Sequence, residues 1–567
     1  MKRIERMVKR HLYLGVFLLA ACSAQTSEPV SMNEVYDGIE FDMPKVIEPT
    51  FQDYSVSITE FGAVPDGQTL NTKAIAKAIE NVSEKGGGHV VFPKGIWLTG
   101  PIVFKSNIDL HVETGALVIF SSNKNQYPLV ETSFEGLNTV RCQSPIYAKD
   151  VDNIAITGGG VIDGSGDAWR QVKRSKMTNS QWKKLVASGG VVDETGQNWY
   201  PSESFRKGSE MSDMNVPTHF TKMEDYKAIK DFLRPVMVSL VSCKKVLLDG
   251  PVFQNSPAWN IHPLMCEDLT VRNITVRNPW YSQNGDGIDI ESCKNTLLYN
   301  STFDVGDDGI CIKSGKDQDG RDRNMPTENL IVKNCIVYHG HGGVTVGSEM
   351  SGGVKNMHVS GCTFLGTDVG LRFKSNRGRG GIVEGIYISD INMIDIPTNA
   401  ISFNLYYGGL SVSEMMEQNE KTDNDEAVPE VSEETPQFKN ISIKNVTCRG
   451  AMQAIYLQGL PEMNLENVYM ENITMEAENG LLCMDAKGIT IKGLHLKTTV
   501  LPAMNFFNVK DVSISDLVVP VGSQPVISVN GVKTQNVKID VISENNLENI
   551  LVLDKNIDPQ MVKLNRQ

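Results

Sequence analysis

The chain has 567 residues, with 54 lysines and arginines against 68 aspartates and glutamates, and a formal net charge of −14. This balance argues against a non-specific nucleic-acid binder, which needs a basic face for phosphate contacts. The negative charge is compatible with an anionic ligand that is held by a small cluster of basic side chains. The length fits either several domains or one long solenoid.

The N-terminus is typical of a secretory signal peptide, which we assign to residues 1–21. A basic stretch at residues 2–10 precedes an apolar stretch that is too short to span a membrane permanently. The residues that end at Cys22 resemble a bacterial lipobox, in which the cysteine is lipidated and becomes the first mature residue. The alternative is an ordinary signal peptide cut after Ala21 or Ala24. Both alternatives predict export. The lipobox also predicts a lipid anchor in the cell envelope at Cys22, which is the one membrane attachment we expect. The sequence leaves open which membrane face carries this anchor.

A polar tether and a small cap are predicted before the main fold. Residues 22–54 are polar and dotted with prolines, as tethers are. The folded part begins near residue 55 with a phrase from Phe61 to Gly67, a helical pattern at residues 75–79 and an apolar strand at residues 90–92. This unit predicts a helix-and-strand cap on a longer array.

A repeated phrase follows, in which two apolar residues flank a variable one and an Asn, Gly or Asp comes two places later. The closing residues are Gly158, Gly250, Asn273, Asn334, Gly361, Asp390, Asn445, Asn472, Gly493 and Asp516. With Asn300 included, the spacings from Gly250 onward are 23, 27, 34, 27, 29, 55, 27, 21 and 23 residues, where 55 fits two coils or one insertion. That is a solenoid period, and Asn or Gly tolerates the left-handed backbone of a tight corner.

We therefore predict an all-β fold, a single-stranded, right-handed parallel β-helix over residues 55–550, with a C-terminal tail at 551–567. Leucine-rich repeats need more leucine, and propeller blades need about 40 residues. Two stretches break the repeat, about 165–233 and about 406–437, and the second, rich in acidic residues, equally fits a disordered spacer. Solenoid insertions form loops, often beside the binding face, and the length of the first predicts that it closes one end of a groove.

The ten cysteines predict packing rather than pairing. Nine remain once Cys22 is set aside, an odd number that cannot be fully paired. Those that recur at about one coil are Cys243, Cys266, Cys293, Cys311, Cys335 and Cys362. We expect stacked core residues rather than a disulfide framework, and no Cys-x-x-Cys pair predicts zinc.

Four polar phrases on four successive coils carry the candidate chemistry. They are Asn284-Gly285-Asp286-Gly287, Gly306-Asp307-Asp308-Gly309, Gly340-His341-Gly342 and Arg372-Phe373-Lys374. Asp307 and His341 each lie seven residues past a repeat marker, which predicts that they stack on one face. Asp286 and Arg372 lie 13 and 11 residues past theirs, offsets that longer loops can absorb.

Carboxylates on adjacent coils suit glycoside hydrolysis. Coils lie about 4.8 Å apart, and inverting glycosidases hold acid and base about 6.5–9.5 Å apart to admit a water. Three clustered aspartates cannot all ionise comfortably, so one pKa should rise, and that residue should be the general acid. A single Asp-Asp pair is more often a turn or a calcium ligand, but the four phrases in this order favour catalysis.

Over about residues 55–540 the chain resembles glycoside hydrolase family 28, the polygalacturonase family. The family motifs Asn-x-Asp, Gly-Asp-Asp, Gly-His-Gly and Arg-x-Lys are all present in order. The resemblance implies a pectin lyase-like solenoid that cleaves α-galacturonosyl linkages of pectic polysaccharide or oligogalacturonides with inversion. Endo against exo action, and polygalacturonan against a branched pectin such as rhamnogalacturonan, stay open.

The resemblance also implies a catalytic role for each polar residue. Asp307 would be the general acid towards the glycosidic oxygen. Asp286 together with Asp308 would activate the water. His341 would tune the acid and its hydrogen-bond network.

Substrate-binding roles are implied for Asn284, Arg372 and Lys374. A guanidinium and an ammonium two residues apart on one strand face suit a galacturonate carboxylate. Residue 285 is Gly where the family commonly has Thr, which weakens the subsite assignment more than the catalysis. Trp259 could stack on a sugar, but a core or rim aromatic is the favoured alternative.

Two other functions fit this fold. A pectate lyase-like eliminase would use calcium and release unsaturated product, and a non-catalytic β-helix would only bind polysaccharide. Retention of all three aspartates and His341 argues against mere binding. No nucleotide phosphate loop, nucleophile elbow or zinc signature occurs, so we expect no organic cofactor and no essential metal.

Overall fold

The structure is a computed structural model that describes residues 31–213, 215–407, 428–519, 525–542 and 550–566. The predicted signal peptide and Cys22 lie outside the described residues. Thirty-five strands form one continuous parallel sheet that coils into three faces around a single core. The predicted all-β parallel β-helix is confirmed.

The first face begins each coil. Its strands are Ser55–Ser57, Gly88–Phe92, Ile108–Val112, Asp152–Thr157, Lys244–Asp249, Glu267–Arg272, Lys294–Tyr299, Thr327–Lys333, Val354–Ser360, Gln535–Val541 and Val562–Arg566. Along these strands every second side chain enters the core, and most outward positions are polar, except for apolar residues such as Leu297 and Ile331.

The second face is short and narrow. Its strands are Gly95–Thr99, Ala116–Phe120, Val161–Asp163, Val252–Gln254, Thr275–Arg277, Thr302–Asp304, Ile336–Val337 and Thr363–Leu365. The third face closes each coil, with strands Ile102–Val103, Ile146–Lys149, Val238–Val241, Ile261–Leu264, Ile288–Glu291, Ile310–Lys313, Gly340–Val346, Thr367–Lys374, Met504–Phe507, Ile527–Asn530 and Leu551–Leu553.

Further strands turn through more than one face without a break. They are Ile382–Asn404, Gln437–Gln458, Leu465–Met484, Ala486–Thr498 and Lys510–Val518. Because Asp390 and Asn445 flank directly paired segments, the interval of 55 residues is one coil with an insertion. Of the predicted insertion at 406–437, residues 408–427 lie outside the described part.

The corner between the first and second faces is built from the repeat markers. Asn273, Asn300 and Asn334 all adopt positive φ, between 52° and 56°. The Asn334 side-chain amide donates to the Asn300 side-chain oxygen at 2.8 Å, and other coils repeat this contact. The repeat could be read from sequence because each coil needs the same left-handed corner.

The predicted cap is present, but the predicted C-terminal boundary of the solenoid was wrong. The helix Thr72–Glu84 and the 3-10 helix Ile58–Phe61 close the N-terminal end of the core. The predicted tail at 551–567 instead continues the solenoid, since Val562–Arg566 pairs with Gln535–Val541.

The described part of the predicted tether, residues 31–54, is a strap on the outside of the first face. Val35 and Val46 are buried against Leu297, Tyr299 and Ile331. The strap also pairs with polar groups of several coils, including His358 with Glu40 at 2.6 Å and Arg272 with Glu48 at 2.5 Å. The apolar residues of the strap do not recur at a regular spacing, so its packing against the first face could not be predicted from sequence.

The first insertion, about 165–233, is an ordered lobe. Its helices are Gly166–Trp169, Arg174–Lys176, Asn179–Ala187, Glu203–Ser209, Met223–Ala228 and Lys230–Phe232, and its strands are Val172–Lys173, Val191–Val192 and Asn198–Tyr200. Phe205, Ile229 and Leu233 give it a small core of its own. Outside it lie the hairpin strands Leu129–Phe134 and Leu137–Cys142, the α-helix Asp317–Arg323, and the 3-10 helices Glu34–Tyr36, Lys124–Gln126 and Pro559–Met561.

Within the described residues, no helix is both long and apolar enough to span a membrane. The nine described cysteines are all buried and free. Of the six predicted to stack in the core, Cys311 instead lies beside Asp286 and Asp308, and the other five belong to the core, namely Cys243, Cys266, Cys293, Cys335 and Cys362.

Candidate active site

The four polar phrases meet at one corner, where the second face turns into the third. Strands Ile288–Glu291, Ile310–Lys313, Gly340–Val346 and Thr367–Lys374 are successive parallel neighbours in this region. Backbone hydrogen bonds tie the preceding turns together, from the Gly287 amide to the Asp308 carbonyl at 2.9 Å and from the His341 amide to the Asp307 carbonyl at 2.9 Å. The predicted stacking of these phrases is confirmed.

Asp308 lies at the centre of the site and is 2% exposed. One of its oxygens accepts from Arg372 at 2.9 Å and Thr345 at 3.0 Å, and the other accepts from Lys374 at 2.9 Å. Burial alone would raise the pKa of Asp308, but Lys374 and Arg372 override it and hold this pKa far below its usual value. Asp308 is therefore a fixed anion.

Asp286 is the carboxyl whose pKa is raised. It is 3% exposed, and its Oδ1 has no hydrogen-bond partner among the described residues. Burial, followed by the charge of Asp307, raises the pKa of Asp286 well above its usual value. An oxygen of Asp286 lies within 4.8 Å of one of Asp308, on the adjacent coil. The raised pKa expected for the general acid thus falls on Asp286, whereas the resemblance gives that role to Asp307.

Asp307 and His341 form a more open pair beside these two carboxyls. The His341 Nδ1 lies 3.2 Å from an oxygen of Asp307, and its Nε2 lies 3.7 Å from Asp368. The hydrogen bond with Asp307 raises the pKa of His341 against a smaller opposing effect of burial. With side-chain exposures of 24% and 52%, Asp307 and His341 can exchange a proton with a bound molecule. Asp368 carries no motif and was not predicted.

Glycine is required beside the central carboxylate. A Cβ on Gly342 would lie 2.8 Å from the Asp308 Oδ1 and 2.1 Å from the Thr345 hydroxyl. The Gly-His-Gly phrase therefore lets the next coil approach Asp308 closely.

Arg372 and Lys374 lie on one strand face as predicted, but their first partner is Asp308. Their side chains are 18% and 10% exposed. A substrate carboxylate would meet only their remaining donors. Tyr407, which was not predicted, lies beside both, with its ring centroid 5.7 Å from the Arg372 guanidinium and 5.1 Å from the Lys374 ammonium.

Asn284 is held by Arg234, which directly follows the insertion. Its side-chain oxygen accepts a hydrogen bond from Arg234 at 2.9 Å, and Arg234 also donates to the Gln283 carbonyl at 2.9 Å. Arg234 is 4% exposed, and burial lowers its pKa to about 9. The C-terminal boundary of the insertion therefore lies against the turn that carries Asp286.

The predicted sugar contact of Trp259 is corrected by the structure. Its ring is 2% exposed and packs on Phe134, with ring centroids 4.4 Å apart. A buried ring cannot stack on a sugar, so the core alternative is right. Trp259 lies in the turn before strand Ile261–Leu264. A turn has no alternation of apolar and polar residues from which the direction of its side chains could be predicted.

A buried polar layer beneath the carboxyls also escaped prediction. His262 and Arg323 both contact Glu291, at 2.8 and 2.7 Å. Lys313 lies 2.8 Å from Glu349 and 3.7 Å from Asp289. These partners are distant in sequence, so motif spacing does not reveal them.

A metal site is the alternative function for the carboxyls of Asp286 and Asp308. Asp286, Asp308 and Cys311 are the one group of potential ligand atoms within 4.8 Å of one another that the described residues provide. Calcium takes six to eight oxygens, whereas both Asp308 oxygens here already accept from cationic side chains, and burial raises the pKa of the Cys311 thiol. The group does not fit a calcium ion.

Comparison with known families gives two matches. Residues 170–488 match the model "Glycosyl hydrolases family 28", and residues 55–123 match "Rhamnogalacturonase A/epimerase, pectate lyase-like".

Among curated proteins, a probable polygalacturonase of Vitis vinifera is 29% identical over 350 residues, which cover 60% of this chain and 61% of the relative. An exo-poly-alpha-D-galacturonosidase of Dickeya chrysanthemi is 27% identical over 418 residues, 71% of this chain and 64% of the relative. The chain thus matches about three fifths of the length of these relatives.

Among solved structures, a hyperthermoactive exopolygalacturonase from Thermotoga maritima superposes with a TM-score of 0.58 at 28% identity, covering 87% of this chain and 93% of that one. A family 28 exopolygalacturonase from Yersinia enterocolitica, at 22% identity, shares the fold with a TM-score of 0.61, over 84% of this chain and 79% of that one.

Proposed function

This chain belongs to glycosyl hydrolases family 28, and from that premise we propose that it hydrolyses α-galacturonosyl linkages in pectic polysaccharide or oligogalacturonides with inversion. The observation that carries the proposal is the corner where Asp308, fixed as an anion, lies beside protonatable Asp286 and the Asp307–His341 pair. Two opposed carboxyl functions are what hydrolysis of a glycosidic bond needs.

In the proposed reaction, Asp307 donates its proton to the glycosidic oxygen as the bond from that oxygen to C1 breaks. A water attacks C1 from the opposite side of the sugar. Asp308 accepts a hydrogen bond from this water, and Asp286, whose raised pKa makes it the more basic carboxylate once ionised, takes its proton. After the products leave, Asp286 releases its proton to solvent, and His341, protonated from solvent, passes a proton to Asp307 at 3.2 Å.

We propose exo action, because the insertion stands at one end of this corner. Arg234, which directly follows the lobe, fixes the turn that carries Asp286, and the lobe has its own core. The Dickeya relative and the Thermotoga structure, both described as exo-acting, are consistent with this proposal.

The test is the product profile of the purified protein on polygalacturonic acid and on rhamnogalacturonan. Saturated monomer or dimer from the start of the reaction supports exo hydrolysis, and a ladder of oligomers would mean endo action. Asp307→Asn should be nearly silent. Asp304→Asn is the matched control, because Asp304 also pairs with a histidine, His339 at 2.8 Å, outside the buried cluster.

The rival lyase and binding functions give different results. An eliminase would release unsaturated products that absorb in the ultraviolet. Absence of any product from both polymers, with binding retained, would make the protein a polysaccharide-binding β-helix.

We also propose that the protein is exported and lipid-anchored at Cys22. The support is the basic and apolar pattern that precedes this residue in the sequence. Labelling with a fatty-acid analogue in the producing cell should mark the wild type and not Cys22→Ser. Equal labelling of both would contradict the anchor.

A further inference from the structure

An exposed aromatic pair lies on the turn that leads into Asp286. Trp280 is 62% exposed and Tyr281 is 41% exposed, and their rings meet edge to face with centroids 5.8 Å apart. An exposed tryptophan beside a reactive centre calls for an explanation. None of the motifs and no residue role discussed above includes this pair.

The turn that carries the pair is rigid at its base. The Ser282 hydroxyl donates to the Pro279 carbonyl at 2.7 Å, and the Gly285 amide donates to the Ser282 carbonyl at 3.1 Å. Gly306, which precedes Asp307, packs so tightly on this turn that a Cβ would lie 2.4 Å from the Ser282 hydroxyl. The exposed rings therefore stand at a fixed position relative to both catalytic turns.

A cation from the insertion completes the arrangement. The Lys176 ammonium lies 4.0 Å from the centroid of the Trp280 ring. Lys176 is exposed and lies at the end of the 3-10 helix Arg174–Lys176. A lysine held over an aromatic face places positive charge where a ligand on that ring would carry its own substituents.

We propose that Trp280, Tyr281 and Lys176 form a subsite for the terminal galacturonosyl residue of the chain, at the insertion end of the groove. The proposal rests on the function proposed above. The pyranose ring lies against the Trp280 and Tyr281 surface, as apolar sugar faces do on aromatic rings, and its carboxylate pairs with Lys176. A neutral or methyl-esterified sugar gains the aromatic contact but not the ion pair.

The subsite is measured by binding, without turnover. Trigalacturonate is titrated calorimetrically into the full chain carrying Asp307→Asn, alone and combined with Trp280→Ala, Trp280→Phe or Lys176→Gln. Trp280→Ala is expected to weaken binding about tenfold and Trp280→Phe much less, because a ring remains. Lys176→Gln should remove most of the preference for trigalacturonate over its methyl ester.

The matched control is Tyr469→Ala. Tyr469 also lies beneath lysines, Lys444 and Lys492 at 5.6 Å each, but on the first face, away from the groove. Unchanged binding in Trp280→Ala, or an equal loss in Tyr469→Ala, would overturn the subsite, and so would the absence of binding to the Asp307→Asn parent. Hydrolysis by the wild type is scored separately, so that failure of the hydrolase proposal and failure of the subsite are distinguished.

Discussion

The Lys374 ammonium lies 2.9 Å from the Asp308 carboxylate, and Lys374 is the principal charge that keeps this buried group ionised. Lys374→Met should lower the free energy of unfolding by roughly 2–3 kcal/mol, less than for a sole partner because Arg372 remains. Catalysis should fall about 100-fold, since Asp308 loses the principal charge that fixes it as an anion at the water site. Thermal unfolding and kcat on polygalacturonic acid measure the two effects.

Lys244→Met is the control for that experiment. Lys244 is 60% exposed and lies 3.2 Å from Glu267 on the surface, so its removal should cost less than about 1 kcal/mol. Similar losses in the two variants would contradict a special role for the buried pair.

Asp286→Asn should stabilise the protein at neutral pH while it abolishes activity. Because the pKa of Asp286 is raised in the fold, the native state binds more protons than the unfolded chain. Stability from this group therefore falls as pH rises from about 3.9 towards the folded pKa, by about 1.4 kcal/mol per pH unit. Urea unfolding at several pH values should show a smaller fall for Asp286→Asn.

Asp308→Asn should behave in the opposite way. The pKa of Asp308 is lowered, so its contribution is present above about pH 3.9 and is lost as pH falls. This variant should be destabilised at neutral pH. If both asparagine variants shift stability in the same direction, the assignment of opposite charge states is wrong.

His341→Gln should remove the alkaline limb of the pH–rate profile. The Asp307 hydrogen bond raises the pKa of His341, so the shared proton is present at low pH and is lost as pH rises through that value. We expect kcat to fall roughly 100-fold and to become flat on the alkaline side. His339→Gln serves as the control, and an alkaline limb that survives in His341→Gln would assign it to another group.

Arg234→Met should loosen the turn that carries Asn284 and Asp286. It removes donors from the Gln283 carbonyl and the Asn284 side chain and leaves these acceptors unpaired, which should cost roughly 2–4 kcal/mol. KM should rise more than kcat falls. Arg206→Met, in an exposed ion pair of the same lobe, is the comparison, and a normal KM in Arg234→Met would show that the lobe does not support the site.

The nine described cysteines should be unreactive until the protein unfolds. All are buried and free, so a reagent cannot reach them in the folded protein, and burial also raises the pKa of Cys266, Cys311 and Cys483. A thiol reagent should titrate none of them in the native protein and all of them in denaturant. A melting temperature lowered by reductant would reveal a disulfide instead.

The features that could be predicted from sequence are those that depend on residues close together in the chain. Asn300 and Asn334 mark coils because each coil needs its own left-handed corner, and the catalytic phrases sit at fixed offsets from such corners. Arg234, which contacts Asn284, and Asp368, which contacts His341, come from other segments without a motif. Trp259 was offered as a sugar contact beside the favoured core alternative, because an aromatic residue in a turn carries no periodicity that shows whether it is buried, and the structure buries it.

The position of the strap determines the orientation that the molecule would take if its N-terminus were attached to a surface. Lys333 donates to the backbone of Glu34 at 3.0 Å. The N-terminal end of the strap therefore contacts the strand Thr327–Lys333, which lies in the coil of His341, and not the cap. The three faces surround one core, so the catalytic corner lies across that core from the strap. A chain fixed upstream of residue 31 would lie side-on, with its catalytic corner turned outward to incoming polymer.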